Sequence, residues 1–197
     1  LRTFDDIRGA HARTTVTAEG TCRFSPDGGW HVSFARLAAD RFRADHDVLK
    51  ALPGGLRRAV EGVRLRGLLS VDGALEIYST APQVVAGPLG RPDSVPGPAA
   101  AAWDMQLDME QAALDVGMPL EHVHGGIRLR GQSDGTAWRA GGDVAIDSAM
   151  LRGVQLTRIR GPLAMDDAGA RFGVAAGGDG AAAPDRRMTA RVADGLL

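Results

Sequence analysis

Hydrophobic and polar positions alternate with a period of two along much of this chain. From residue 103 to residue 109 every second side chain is apolar and the residues between them are polar. The same alternation recurs at 125–131 and at 143–147. A period of two is that of a strand with one buried face. We therefore predict half-buried strands here. They are separated by predicted glycine turns at Asp134-Gly135, Arg152-Gly153 and Gly161-Pro162.

The apolar positions of these strands share one predicted face. They are Trp103, Met105, Leu107, Met109, Ile127, Leu129, Val144 and Ile146. Removing each such side chain from water is worth about 1.5–3 kcal/mol, so something apolar must cover them. The cover is either the protein's own core or the acyl chains of a lipid in a groove, because side chains and acyl chains satisfy the same transfer free energy. The pattern alone leaves both interpretations open.

The first half of the chain contains a predicted hairpin, a helix and two further strands. Alternation before and after the turn-forming residues 25–29 predicts a β-hairpin over 14–36. At about 45–61 apolar residues recur at helical spacing around a Pro-Gly-Gly sequence, which predicts a short broken helix. Alternation returns at 63–77, with Asp72-Gly73 as a predicted tight turn between two strands.

A stretch rich in proline, glycine and alanine divides the chain. Residues 87–102, GPLGRPDSVPGPAAAA, are predicted to form a loop or linker. They separate an N-terminal sheet segment at 1–86 from a C-terminal sheet segment at 103–197, which closes with a predicted strand at 188–192. The chain begins without a methionine and ends just after that strand. We therefore expect it to be a piece of a longer protein.

The balance of elements indicates a mainly β fold. We count about ten strands against one helix of roughly 15 residues. A helix is about 10 Å wide and neighbouring strands are nearly 5 Å apart, so this helix covers three or four strands at most. A sandwich, a barrel and an open groove are the architectures that deal with the remaining apolar face. Composition does not choose between them.

Composition excludes several classes of function. The 197 residues carry a formal net charge of -1, with 44% hydrophobic and 24% charged residues, so no nucleic acid partner is expected. Cys22 is the only cysteine, which excludes an internal disulfide and zinc sites built on several thiolates. It falls at an inward position, where a buried and inert thiol is expected. The sequence contains no apolar run of about 20 residues, so no membrane-spanning helix is predicted.

Residues that could carry catalysis or hold a metal are few. His122 and His124 are two apart, as in half of a metal site, but no cysteine or carboxylate cluster accompanies them. The acidic pairs Asp5-Asp6 and Asp166-Asp167 lie beside turn residues and are predicted to be solvated loop acids. The sequence has neither a Gly-x-Ser-x-Gly nucleophile motif nor a phosphate loop with its lysine. We therefore predict that the protein is not an enzyme and holds no cofactor or metal.

Three short stretches carry a family resemblance. They are Trp103-Asp104-Met105, LEHVHGGIRLRG at 120–131 and GVQLTRIRGPL at 153–163. Together they resemble the AsmA-like and TamB-like envelope proteins, in which a strand ending in L-x-G is followed by a G-v-x-L-x-x-i-x-G-p-l sequence. The resemblance is best over 103–173 and looser over 42–80. The stretch at 87–102 has no counterpart in it.

The resemblance implies both a shape and a function. It implies a mainly β fold, an extended and twisted antiparallel sheet curled into an open groove with one short broken helix, and a periplasmic location with an inner-membrane tether outside this chain. Acyl chains of phospholipid or another lipid would lie against the eight inward residues and move between membranes without catalysis. The alternative is a β-sandwich or β-solenoid module for structure or adhesion, with a self-filled core. An envelope hydrolase is a third reading, and it would need His122 or His124 in one pocket with two acidic side chains.

Overall fold

The structure is a computed structural model, and it describes residues 1–11, 14–43, 61–79, 83–86, 92–95, 99–115, 118–173 and 187–192, together with residues 48, 50, 57 and 97. Most of these residues are in strands. The strands are β1 (Arg2–His11), β2 (Thr14–Phe24), β3 (Trp30–Phe42), β4 (Arg66–Ser79), β5 (Gln83–Ala86), β6 (Pro92–Val95), β7 (Ala99–Asp115), β8 (Pro119–Ser133), β9 (Trp138–Leu151), β10 (Val154–Asp166), β11 (Gly169–Phe172) and β12 (Thr189–Val192).

Ten of the strands form one open antiparallel sheet. Its order is β1-β2-β3-β4-β7-β8-β9-β10-β11, and β12 also pairs with β10. Strands β5 and β6 pair only with each other among the described residues, as a small insertion between β4 and β7. Nearly every strand therefore lies beside its neighbour in sequence. The prediction of a mainly β fold built on an open antiparallel sheet is confirmed.

The two edges of the sheet differ. Among the described strands, β1 pairs only with β2 and forms one edge of the sheet. At the other edge, β11 and β12 both pair with β10, at different heights. Strand β11 pairs with residues 163–166 and β12 with residues 156–160. The second edge is therefore made of two short strands, and the sheet does not close into a barrel.

The hairpin at 14–36 is confirmed, and the helix is described only in part. Strands β2 and β3 pair across the loop at 25–29, and β3 continues as far as Phe42. Within the predicted helix at 45–61, residues 48, 50, 57 and 61 are helical, and the rest of that range lies outside the described residues. The predicted flexible stretch at 177–184 lies outside them as well.

Two predicted turns are wrong because the glycine lies inside a long strand. Asp72-Gly73 is in the middle of β4, and Gly161-Pro162 is in the middle of β10. At Gly73 the reason is a close approach between strands: a Cβ added there would lie 2.7 Å from the Cα of Met105 in β7. Glycine inside a strand often marks such an approach rather than a turn. In addition, residues 63–65 precede β4 instead of belonging to it.

The stretch at 87–102 does not separate two sheets. Its last four residues, 99–102, belong to β7, so the prediction of a linker is wrong there. Strands β4 and β7 pair from Ser79↔Ala99 to Arg66↔Ala113. The N-terminal and C-terminal segments are therefore hydrogen-bonded parts of the same sheet.

Bulges interrupt the pairing of β3, β7 and β8 at a similar height in the sheet. Arg41 in β3, Gln111 in β7 and His122 in β8 adopt left-handed backbone conformations, with φ of 51°, 52° and 49°. The register shifts beside each of them. They lie next to the cross-strand row Phe42–Leu69–Met109–Gly125. Because a bulge bends its strand and increases the local twist, this row curves one end of the sheet.

The bulge in β7 keeps the apolar face continuous. A regular strand would place residue 111 beside Met109 on that face, because side chains alternate. Instead Gln111 is exposed, and Ala112 and Leu114 are 0% and 4% exposed. The same kind of shift in β3 leaves Arg41 exposed. Each bulge therefore moves a polar side chain off the apolar face and brings the next small or apolar residue onto it.

The core is a single cluster on the apolar side of this one sheet. Leu69 and Val123 are its largest side chains with less than 2% exposure. The other buried members are Leu65, Leu75, Ala101, Trp103, Met109, Ala112, Leu114, Leu120, Trp138, Ala140, Val144, Ile146, Ala149, Ile159, Leu163 and Met165. The cluster extends from the segment before β4 to β10. Its buried members therefore come from one sheet and the segment that precedes β4.

Candidate functional site

The eight residues predicted to face inward do share one face of β7, β8 and β9. Cross-strand pairs join Met105 to Leu129, Leu107 to Ile127, and Ile127 to Val144. Three of the larger side chains at the ends of this face lie opposite a glycine. Trp103 lies opposite Gly131, Met109 lies opposite Gly125, and Ile146 lies opposite Gly125 from the other side. The alternation in sequence therefore placed all eight on one surface.

Burial divides these eight residues into two groups. Trp103, Met109, Val144 and Ile146 are only 2–5% exposed and belong to the core. Met105, Leu107, Ile127 and Leu129 are half-buried, and they form two adjacent cross-strand pairs at the centre of the face. The second group is thus a compact apolar patch that retains access to solvent. We call these four residues the central patch.

An apolar pocket of about 70 Å³ lies over the central patch and the strands on either side of it. Four of the eight predicted residues line it: Trp103, Leu107, Ile127 and Leu129. The sequence reasoning missed the other lining residues as part of a site. They are Val63, Leu65, Leu114, Trp138, Ala140, Leu163, Met165, Ala170 and Phe172. Every described side chain that lines the pocket is hydrophobic, so the site can hold an apolar group.

The two sides of the pocket come from opposite parts of the sheet. Val63 lies before β4, and Ala170 and Phe172 lie in β11, five positions further along the strand order. The segment at Val63 is held to β7, because the N–H of Asp115 donates to the Val63 carbonyl oxygen at 2.9 Å. Both groups can line one pocket only because the sheet curls.

Trp103 fills one end of the pocket by lying across a glycine. A Cβ added at Gly131 would lie 2.5 Å from Cε2 of Trp103 and 2.8 Å from the carbonyl oxygen of Arg139. These separations are shorter than real Cβ contacts, so the indole occupies space that only glycine leaves open. The Trp103–Gly131 pair is therefore a fitted contact in the site.

The opposite face of the same strands is charged and paired. Asp104 accepts hydrogen bonds from Nε of Arg128 at 3.1 Å and from Nε of Arg130 at 2.7 Å. The hydrogen bond from Arg128, reinforced by Arg130, holds the pKa of Asp104 below its ordinary value. Arg36 and Asp72 make a similar ion pair at 3.4 Å on β3 and β4. The sheet thus has one apolar face and one face of solvated ion pairs.

The histidines considered for a metal site do not form one. His122 is exposed in the bulge of β8, and His124 is half-buried two residues later. The left-handed backbone at His122 breaks the regular alternation that would direct both side chains to the same side. Within the part of the chain that the structure describes, no group of three or more His, Cys, Asp or Glu side chains could hold a metal ion.

The structure also shows where the two acidic pairs and the cysteine lie. Asp5 and Asp6 lie within β1 and not in a loop, so that prediction is wrong for them; Asp6 pairs with Arg8 at 2.7 Å. Asp166 ends β10, and Asp167 is in the turn that follows, where it accepts a hydrogen bond from the N–H of Trp138 at 3.1 Å. Cys22 is half-buried rather than fully buried.

The comparisons with known proteins add no family to this picture. No family model, curated protein or solved structure matches the chain. Among the described residues, no helix is both long enough and apolar enough to span a membrane. The function must therefore be argued from the geometry of the apolar face.

Proposed function

We propose that the apolar face of this sheet binds the acyl chains of phospholipids and conducts them between the inner and outer membranes of a cell envelope. This is the function of the AsmA-like and TamB-like proteins that the sequence resembles. The mechanism is passive. Acyl chains lie on the apolar side chains while the headgroups remain at the open side of the sheet, and no bond is made or broken.

The observation that carries the proposal is the central patch. Four large apolar side chains in the middle of a sheet, Met105, Leu107, Ile127 and Leu129, keep part of their surface accessible. They lie beside a pocket lined entirely by hydrophobic residues. A contiguous apolar surface that stays partly accessible in this way is a candidate binding surface for an apolar partner. An acyl chain is the partner that needs no polar group from the protein.

The size of the pocket defines what must happen on binding. Its volume of about 70 Å³ is far below the roughly 300–1,000 Å³ of ordinary small-molecule sites. A long acyl chain therefore fits only if the two sides of the pocket separate. The side formed by β11 is the one to move, because this strand of four residues pairs with β10 alone among the described strands.

The small volume favours a second candidate, a structural module whose apolar face is filled by its own side chains. In that case the central patch is simply the part of the core that a single curved sheet covers incompletely. The protein then serves as a scaffold or adhesion module in the envelope. The two candidates differ in one respect that can be measured, which is whether the purified chain carries lipid.

The test is extraction of lipid from the purified 197-residue chain, followed by mass spectrometry. The proposal predicts bound phospholipid in the wild-type chain and its loss in Leu129→Glu. Removing the apolar contact of one such side chain is worth about 1.5–3 kcal/mol, which corresponds to a loss of roughly tenfold or more in affinity. Ala145→Glu, which adds the same charge at an exposed position of β9, should leave the lipid content unchanged.

A second variant keeps the test informative if Leu129→Glu fails to fold. Ile127→Trp fills the pocket with an apolar side chain and should expel the lipid while circular dichroism remains that of the wild-type sheet. A wild-type chain that folds and carries no lipid, even after exposure to phospholipid vesicles, would contradict acyl-chain binding and favour the structural module.

A further inference from the structure

A basic cleft lies at the bulged end of the sheet, outside the apolar pocket. It has a volume of about 610 Å³ and is formed by the end of β3, the start of β4 and the bulge of β7. Its lining residues are Arg41, Arg43, Arg66, Gly67, Leu68, Glu110 and Gln111. Arg41 lies in β3, Arg43 directly follows that strand, and Arg66 begins β4. They line one concave surface because β3 and β4 are neighbours in the sheet.

Charge in this cleft is unbalanced. Among the described residues, Glu110 is the only acidic one that lines the cleft, and its Oε2 lies 3.4 Å from Nη1 of Arg41. Arg43 and Arg66 make no ion pair or hydrogen bond with a carboxylate in the described part of the chain. Elsewhere on the polar face, arginines such as Arg130 are paired. As far as the described residues extend, the cleft therefore presents two guanidinium groups without a carboxylate partner beside a third whose carboxylate lies 3.4 Å away.

The backbone around the cleft is unusual on all three strands. Arg41, Gly67 and Gln111 have positive φ values of 51°, 110° and 52°. The bulge at Arg41 is fixed by a hydrogen bond from its N–H to Oγ of Ser70 at 3.1 Å. Bulges redirect side chains and are concentrated next to functional sites. Here they take Arg41 and Gln111 off the apolar face and place them at the cleft.

We propose that this cleft binds a phosphate group. Guanidinium groups bind phosphate oxygens through paired, charge-assisted hydrogen bonds. Arg43 and Arg66, which have no carboxylate partner among the described residues, supply the first donors. Arg41 adds a third cation, and the exposed amide of Gln111 can donate to a remaining oxygen. The phosphate belongs either to a small soluble anion or to a phospholipid headgroup, since both present the same oxygens to the arginines. This inference does not rest on acyl-chain binding, because the cleft and the apolar pocket share no residue.

The experiment uses two phosphate probes and one double variant. Inorganic phosphate is titrated into the isotopically labelled chain while the arginine Nε–H signals are followed by NMR. In parallel, flotation is measured with phosphatidylglycerol vesicles and with phosphatidylcholine vesicles. The double variant Arg43→Gln/Arg66→Gln should weaken binding of the responding probe by at least about tenfold, since each charge-assisted bond contributes measurably to affinity. Arg130→Gln, which removes a paired arginine elsewhere on the polar face, is the matched control and should change binding little.

The outcomes separate the two sources of phosphate. Perturbation of the cleft arginines by inorganic phosphate identifies a soluble anion as sufficient. Flotation with phosphatidylglycerol vesicles that depends on Arg43 and Arg66, without a response to inorganic phosphate, identifies a headgroup. Absence of binding in both arms, or binding that persists unchanged in the double variant, would overturn the proposal. Neither result alters the lipid content expected from the pocket, which the Leu129→Glu variant tests independently.

Discussion

Replacement of Gly131 by alanine tests the fitted contact between β8 and Trp103. The added Cβ would lie 2.5 Å from Cε2 of the indole and 2.8 Å from the carbonyl oxygen of Arg139, which belongs to the neighbouring strand. The backbone oxygen cannot move without disturbing the pairing of β8 with β9. The methyl group would therefore strain this pairing and would also displace the indole, which is packed in the core and only 5% exposed.

The expected magnitude follows from two opposing effects. Overpacking a core by one methyl group costs about 1–3 kcal/mol. Alanine in a strand regains roughly 0.5–1 kcal/mol relative to glycine, because its unfolded chain is less flexible. We expect Gly131→Ala to lower the free energy of unfolding by about 0.5–2 kcal/mol. Gly9→Ala, where an added Cβ meets nothing within 4 Å, should be neutral or slightly stabilising.

A double-mutant cycle with Trp103→Leu isolates the contact. The smaller side chain costs stability by itself, because it leaves a cavity. In its presence the added methyl group of Gly131→Ala no longer meets the indole, and only the contact with the Arg139 carbonyl oxygen remains. The double variant should therefore be more stable than the sum of the two single effects by about 1 kcal/mol. Urea unfolding followed by circular dichroism measures all four proteins. Additive effects, or a Gly131→Ala variant as stable as Gly9→Ala, would refute the contact.

Two further predictions concern the backbone and a turn. Gln111→Gly should be neutral or stabilise the sheet by up to about 1 kcal/mol, because glycine adopts the positive φ of this bulge without strain. Gln111→Val should destabilise the sheet, and the two variants are compared by their urea unfolding midpoints. In the turn after β8, hydrogen bonds from the backbone N–H groups of Ala137 and Thr136 and from the Thr136 hydroxyl lower the pKa of Asp134 from 3.8 to about 2. A lowered pKa means that this stabilisation is complete above pH 4 and is lost as the pH falls toward 2. Asp134→Asn should therefore reduce the fall of the urea midpoint between pH 4 and pH 2, and an unchanged slope would contradict the role of this carboxylate.

Part of the site was readable from the sequence because it depends on local geometry. Alternation is a property of one strand, so it places Met105, Leu107, Ile127 and Leu129 on a common face whatever lies beside that strand. The loop at 25–29 could be predicted for the same reason, since its residues favour turns. Glycine is more ambiguous. Gly73 has the sequence context of a turn, but a neighbouring strand lies too close for a side chain there.

The bulges also leave a signal in the sequence, which is a break in the regular alternation of apolar positions. In β7 the apolar positions change from odd numbers, ending at Met109, to even numbers at Ala112 and Leu114. Such a change of parity within one strand is the mark of an inserted residue. In β8 the apolar positions change in the same way between Leu120 and Val123. Reading both changes together would have located the curved end of the sheet.

By itself, then, the sequence determined that this chain forms strands with one apolar and one polar face, because each residue's side follows from its position in a local repeat. It also determined that eight of the residues in β7, β8 and β9 share one apolar face. Only the tertiary structure decided that Val63 and Phe172 line the same pocket and that Arg43 and Arg66 line the same cleft. Those arrangements depend on how far the sheet curls and on which strands are neighbours. Curvature is the sum of twist and bulges over many strands, and no single stretch of sequence contains that sum.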